Sequence, residues 1–193
     1  MKTFDAFRTA FGAPVTGSGR PPAAIGLENA GGLADFVARV GTGRFRHGLL
    51  SVCSEREGDG DLGEWSGYLP AACRLFATGA FGFLFAARGE EVWVIDPHHG
   101  QVVESNIPLP ELFDTLADPG LREEFLKESL FTDWLELGGE EPVEHILCPT
   151  PVPALGGNWS LASLRPMSLP VFLSFTAQLF DQQGKHRVEV RRL

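Results

Sequence analysis

Several groups of residues in this chain are of types that do chemistry. Asp96, His98 and His99 fall in the segment DPHHG, a set that suggests a metal site or an acid–base pair. His145 and Cys148 stand in an HxxC arrangement, which on a helix would place both side chains on one face. Ser66 sits in GEWSG. Glu55, Glu57, Asp59, Asp61 and Glu64 crowd the stretch after Cys53, where carboxylates at short spacing could hold calcium.

Each group has a plainer explanation. Neighbouring residues on a strand point to opposite faces, so His98 and His99 cannot easily share one ion, and Asp96 with His98 lacks a third ligand nearby. DPHHG reads instead as a turn, with Asp96 capping it, Pro97 fixing φ and Gly100 taking positive φ. A zinc site needs three or four ligands, and His145 with Cys148 supplies two. An activated thiol needs electropositive surroundings, yet EEPVEHILC is acidic, so Cys148 is expected to be packed. In GEWSG the serine stands one position too late for a hydrolase elbow. The run Gly41–Gly43 (GTG) is too short for a phosphate cradle. The acidic stretch lacks the DxDxDG order of a calcium loop. The expectation is a protein without catalysis, metal or cofactor.

The elements around these residues follow from spacing. Phe4, Phe7 and Phe11 predict a short amphipathic helix, stopped by Gly12 and Pro14. Ala13–Gly32 reads as a Gly- and Pro-rich arm, and Ala34 to Val40 as a second helix. Phe45–Cys53 reads as a strand, and Pro70–Thr78 as a helix with Pro in its first turn and Gly79 past its end. Gly82–Arg88 and Val92–Asp96 read as a hairpin joined by Gly89, Glu90 and Glu91. Neither strand alternates with polar residues, which predicts a central position covered on both faces. Gln101–Ser105 would add a third strand. Helices follow through Leu109–Leu116, Leu121–Leu130 and Trp134–Leu137. The segment from Leu147 to Leu169 reads as a compact loop, Val171–Phe180 as a helix and Lys185–Arg191 as a terminal strand.

At 193 residues the chain can bury one substantial core. Lys and Arg against Asp and Glu give 16 − 25 = −9, which argues against direct nucleic-acid binding and suits a basic protein partner. The three cysteines, Cys53, Cys73 and Cys148, have no paired spacing, and the start MKTFDAFRTAFGAP contains Asp5 and no continuous apolar core. A cytoplasmic location, no membrane contact and an α+β fold with a central, mostly antiparallel sheet flanked by helices are the expectations.

Two segments carry a family resemblance. FATGAFGFLFAARGEEVWVIDPHHGQV, Phe76 to Val102, resembles the TAFGD-L segment, strand and Pro–Gly turn of type VI secretion immunity proteins of the DNase-toxin class. PVPALGG (Pro151–Gly157), followed by Leu161, Leu164, Met167 and Val171–Leu179, is similar to that family's PALALGG ending, with Ala177, Gln178 and Leu179 matching its last letters. GTGRFRHGLL within Leu33–Leu50 resembles the GAD-like half that precedes the domain. The resemblance covers about Leu33 to Gln183. It departs at Phe83, where the family often has an acid, and at Phe172–Ser174, where it has a histidine-containing segment.

What it implies is a division into 1–32 (helix and arm), 33–75 (GAD-like) and 76–193 (immunity domain), packed as one unit of SMI1/KNR4-like architecture. It also implies that a cognate toxin, a nuclease domain, is bound and neutralised. The alternative is an SMI1/KNR4-like adaptor acting on another toxin or partner. By composition, the expected contact patch is Glu57, Asp59, Asp61, Glu64, Trp65 and Tyr68, aromatics flanked by charge, although a buried Trp65 is the plainer expectation. Gly79, Gly82, Gly100, Gly156 and Gly157 are expected to serve the fold, and Phe81, Phe83, Phe85, Trp93 and Ile95 the core.

Overall fold

A sheet with both faces covered leaves no room for polar alternation, and the segments without alternation form the centre of the fold. The computed structural model describes residues 4–15, 31–52 and 62–182. Most of the arm, Cys53, Glu55, Glu57, Asp59, Asp61 and the expected terminal strand lie outside the described residues. Strands β1 (Gly43–Phe45), β2 (Leu50–Val52), β3 (Arg74–Gly79), β4 (Leu84–Arg88), β5 (Glu91–Asp96) and β6 (Gln101–Ser105) form one antiparallel sheet in sequence order. Helices α1 (Asp5–Phe11), α2 (Gly31–Arg39), α3 (Leu109–Thr115), α4 (Pro119–Leu126), α5 (Glu128–Glu136) and α6 (Leu169–Gln182) surround it. The fold class is α+β, as expected. No described helix is long and apolar enough to cross a membrane.

Successive side chains of a strand divide between the faces, and the core divides with them. Phe85, Ala87, Val92 and Val94 face a cluster with Phe4, which precedes α1, and with Phe7, Phe36 and Phe113 from α1, α2 and α3. Leu84, Ala86, Trp93 and Ile95 face a second cluster with Phe172, Leu173, Ala177 and Phe180 from α6. In the first, Phe36 stacks on Phe113 at 3.6 Å between centroids, and Phe7 meets Phe36 edge-on at 5.0 Å. Each such ring removed from water contributes about 2–3 kcal/mol, so α1 is part of the core.

The structure corrects several expected elements. Pro70–Thr78 is not a helix: a turn leads into β3, whose residues after Arg74 are all buried. Its backbone pairs with β2 on one side and β4 on the other, and Gly79 ends the strand. The division at 75/76 therefore falls inside β3. Phe45–Cys53 is interrupted by a 3₁₀ turn, Arg46–Gly48, so that Phe45 pairs with Leu50 across a tight hairpin. The β4–β5 loop is Gly89–Glu90, because Arg88 pairs with Glu91. The segment expected as a loop contains β7 (Ile146–Pro149) and β8 (Leu164–Met167), paired in a separate small sheet.

Between β3 and β4, Gly82 adopts φ +83°, and a Cβ there would lie 2.7 Å from Ile146 Cδ1 and 2.8 Å from Phe172 Cε1. Gly89 has φ +63° with nothing within 4 Å. Gly82→Ala is expected to lower the unfolding free energy by about 3 kcal/mol, combining left-handed strain with overpacking. Gly89→Ala should cost only the strain, about 1 kcal/mol. Urea unfolding of both variants measures the difference, and equal losses would contradict the close packing at Gly82.

Candidate functional site

The β5–β6 turn holds the sequence's most reactive-looking residues, and it carries one of them, His98, into the interior. Asp96 Oδ1 accepts from the His98 backbone N–H at 2.9 Å, and Oδ2 pairs with His99 Nδ1 at 2.6 Å. Gly100 takes φ +66°, with Phe180 so close that a Cβ would sit 2.7 Å from its ring. The expected turn chemistry is therefore present. Its result is to send the two histidines apart, one inward and one outward from the turn. His99 remains at the surface, and hydrogen bonding to Asp96 raises its pKa. His98 is fully buried.

His98 Nε2 lies 2.6 Å from the carbonyl oxygen of Phe81. A carbonyl only accepts, so Nε2 carries the proton and Nδ1 is bare. Nδ1 has no hydrogen-bond partner among the described residues. Around the ring stand Phe83 at 5.8 Å, Phe172 at 4.7 Å and Trp159 at 4.6 Å between centroids. Lys127 Nζ closes this box, 5.8 Å from the Phe83 ring and 5.9 Å from Trp159. Burial pushes the imidazole down to about 4, against a weaker opposing pull from Asp96 and the Phe81 hydrogen bond. A neutral ring sealed from solvent can hold two turns together; it offers no path for a substrate or proton carrier. Trp159 and Lys127 carry no signal in the sequence, since a box built from five separated segments has no local spacing.

The HxxC pair does not form. Its residues lie on the approach to β7 and within it, not on a helix, and His145 is exposed while Cys148 is fully buried. Burial pushes the Cys148 thiol up to about 11. Among the described residues, no three His, Cys, Asp or Glu side chains gather where they could hold a metal ion.

Ser66 and Cys73 line a cavity of about 300 Å³ with Leu62, Leu69, Pro70, Ala71, Ala72 and Arg74. Ser66 Oγ donates to the Gly63 carbonyl at 2.8 Å, and no lining residue is a base able to activate it.

Of the expected contact residues, Glu64, Trp65 and Tyr68 occupy the 3₁₀ segment Gly63–Tyr68, packed against α6. Trp65 is 2% exposed, and its Nε1 donates to Leu173 O and Thr176 Oγ1, each at 3.2 Å. The plainer expectation holds for Trp65. Tyr68 donates to Asp181 Oδ1, a bond that is the first cause of a phenol pKa pushed up to about 12. Glu64 Oε1 accepts from Ser174 Oγ at 3.2 Å. A second acidic stretch follows α5: Glu136, Glu140 and Glu144 are exposed, with Leu137 76% exposed among them.

Two measurements follow from this geometry. The unfolded chain takes up a proton at an ordinary histidine near 6.5, and the folded chain at His98 only near 4. The contribution is whole above 6.5 and is lost as pH falls from 6.5 towards 4, about 3 kcal/mol in all. Subtracting the stability–pH curve of His98→Gln from that of the wild type should isolate this slope; coincident slopes would show that His98 is not held neutral. Alkylation by iodoacetamide at pH 8 should leave Cys148 unmodified in the native protein and modify it after unfolding, as read by peptide mass spectrometry. Rapid native labelling would restore it as a nucleophile.

No family model and no curated protein matches the chain. Among solved structures it is similar to Atu4351 from Agrobacterium tumefaciens, at 20% sequence identity and a TM-score of 0.63, covering 91% of this chain and 88% of that one. At that identity the likeness is one of fold, extending over nearly the whole of both chains.

Proposed function

We propose that this chain is a non-catalytic immunity protein, which binds and neutralises a cognate antibacterial toxin of the type VI secretion, DNase class in the cytoplasm. The observation that carries the reading is the fate of the two segments bearing the family resemblance. Phe81, Phe83 and His98 from one meet Trp159, just past PVPALGG, and Phe172 from the other in a single box around the buried His98. The motif residues are therefore explained by the fold they build, which leaves the exterior for recognition.

Charge supports the same reading. A nuclease presents a basic surface to its substrate, and a protein of net charge −9 is attracted to it and steered on encounter. The acidic surfaces at Glu64 and at Glu136–Glu144 are both available for such a contact.

Co-expression with the product of the adjacent upstream reading frame tests the proposal. Growth inhibition by that product alone, rescue by this chain and co-purification in a defined ratio are the expected results. A product that is harmless alone, or toxic and unrelieved by this chain, would overturn the reading.

A further inference from the structure

Helix α6 is apolar around most of its circumference, and the fold covers only part of it. Phe172, Leu173, Thr176, Ala177 and Phe180 are buried. Val171 and Phe175, one helical turn apart, stay 59% and 41% exposed. Ser174 lies beside them on the same face, with Oγ donating to Glu64 Oε1 at 3.2 Å and accepting from Gln178 Nε2 at 3.0 Å. The apolar pair is thus bordered by polar side chains already bonded to one another. Such a border shields a central aromatic contact from water without having to be rebuilt on binding.

Among the described residues, the two elements that build this face contribute charges of one sign. Gly63–Tyr68 contributes Glu64, α6 contributes Asp181, and neither element contains Lys or Arg. We infer that the face formed by Val171, Phe175, Gln178 and Glu64 docks the chain's protein partner, and that the partner offers an apolar pocket rimmed by Lys or Arg. The inference rests on the inhibitor reading and names the surface it uses. It also moves the aromatic anchor from Trp65, which is consumed in packing, to Phe175, which is not. A cationic rim complements Glu64, and a nucleic-acid-cleaving partner carries cations on its substrate-facing surface.

The test measures binding of the full chain to the purified product of the adjacent reading frame. Val171→Ser and Phe175→Ser should each weaken affinity about tenfold or more. Glu64→Lys should slow association about tenfold at low salt and flatten its salt dependence. Glu136→Lys combined with Glu140→Lys, on the other acidic surface, should leave affinity within about twofold. Gln178→Arg, at an exposed position, sets a cation against the partner's cations and serves should Phe175→Ser lower the thermal midpoint; it too should weaken binding about tenfold. Wild-type affinity in Val171→Ser, Phe175→Ser and Gln178→Arg alike would overturn the inference. So would a loss confined to the Glu136→Lys, Glu140→Lys protein. Self-association of the wild type that Phe175→Ser abolishes would make a second copy the occupant and overturn it as well. A wild type that does not bind the product at all would overturn the inhibitor reading, and this inference with it.

Discussion

The turn between β3 and β4 is buried, and every backbone group it exposes to the interior has to be met by another part of the chain. Ala80 N–H donates to Leu49 O at 2.9 Å, and Ala80 O accepts from Leu147 N–H at 2.8 Å. Phe81 O accepts from His98 Nε2, and Gly79 N–H donates to Phe83 O at 2.8 Å. One short turn therefore fastens the first hairpin, the β5–β6 turn and β7. Turns usually run over the surface, where water satisfies them. Here the satisfaction comes from distant elements, so their positions depend on one another. His98 is the side chain that makes this work: an imidazole packs like an aromatic ring and still donates one hydrogen bond.

That constraint explains which residues were legible in the sequence. The β4–β5 hairpin and the DPHHG turn are local, and local chemistry announces them: a Gly at the loop, a fixed proline φ, an Asp within reach of its own backbone. The early helices were legible because Phe4, Phe7 and Phe11 repeat at helical spacing. β3 is not legible in the sequence because RLFATG is short and lacks alternation, and periodicity cannot separate a doubly covered strand from a buried helix. Pro70 then weighed towards a helix start. β7 and β8 were hidden for a different cause. Their pairing, Ile146 with Met167 through Pro149 with Leu164, is non-local, and prolines in both strands suppress the usual signal.

The site residues divide in the same way. The spacing in DPHHG predicts a turn, and Asp96, His98 and His99 make one. What the sequence could not show was that His98 would be sealed under Trp159 and Lys127, because those residues are brought in by separate elements. Trp65 and Phe175 present the reverse problem. Both are aromatics, and only tertiary packing decides which is buried. Trp65 has an indole N–H that finds Leu173 O and Thr176 Oγ1, so burial leaves it satisfied. Phe175 lies on the side of α6 turned away from the sheet.

A division of labour between centre and exterior follows from these energetics. Residues around His98 and Gly82 are held by contacts from several elements at once, so a change in one disturbs the rest. Val171, Phe175 and Gln178 have no such obligations to the core. Their side chains lean outward from a helix that is fixed by its opposite face. A surface of that kind is free to vary in shape and charge while the sheet beneath stays the same. Such a surface suits the inhibitor role we propose. The segment Phe172–Ser174, where the resemblance breaks, divides between centre and exterior. It lies on the same helix, where Phe172 and Leu173 turn inward to the core and Ser174 turns outward to Glu64.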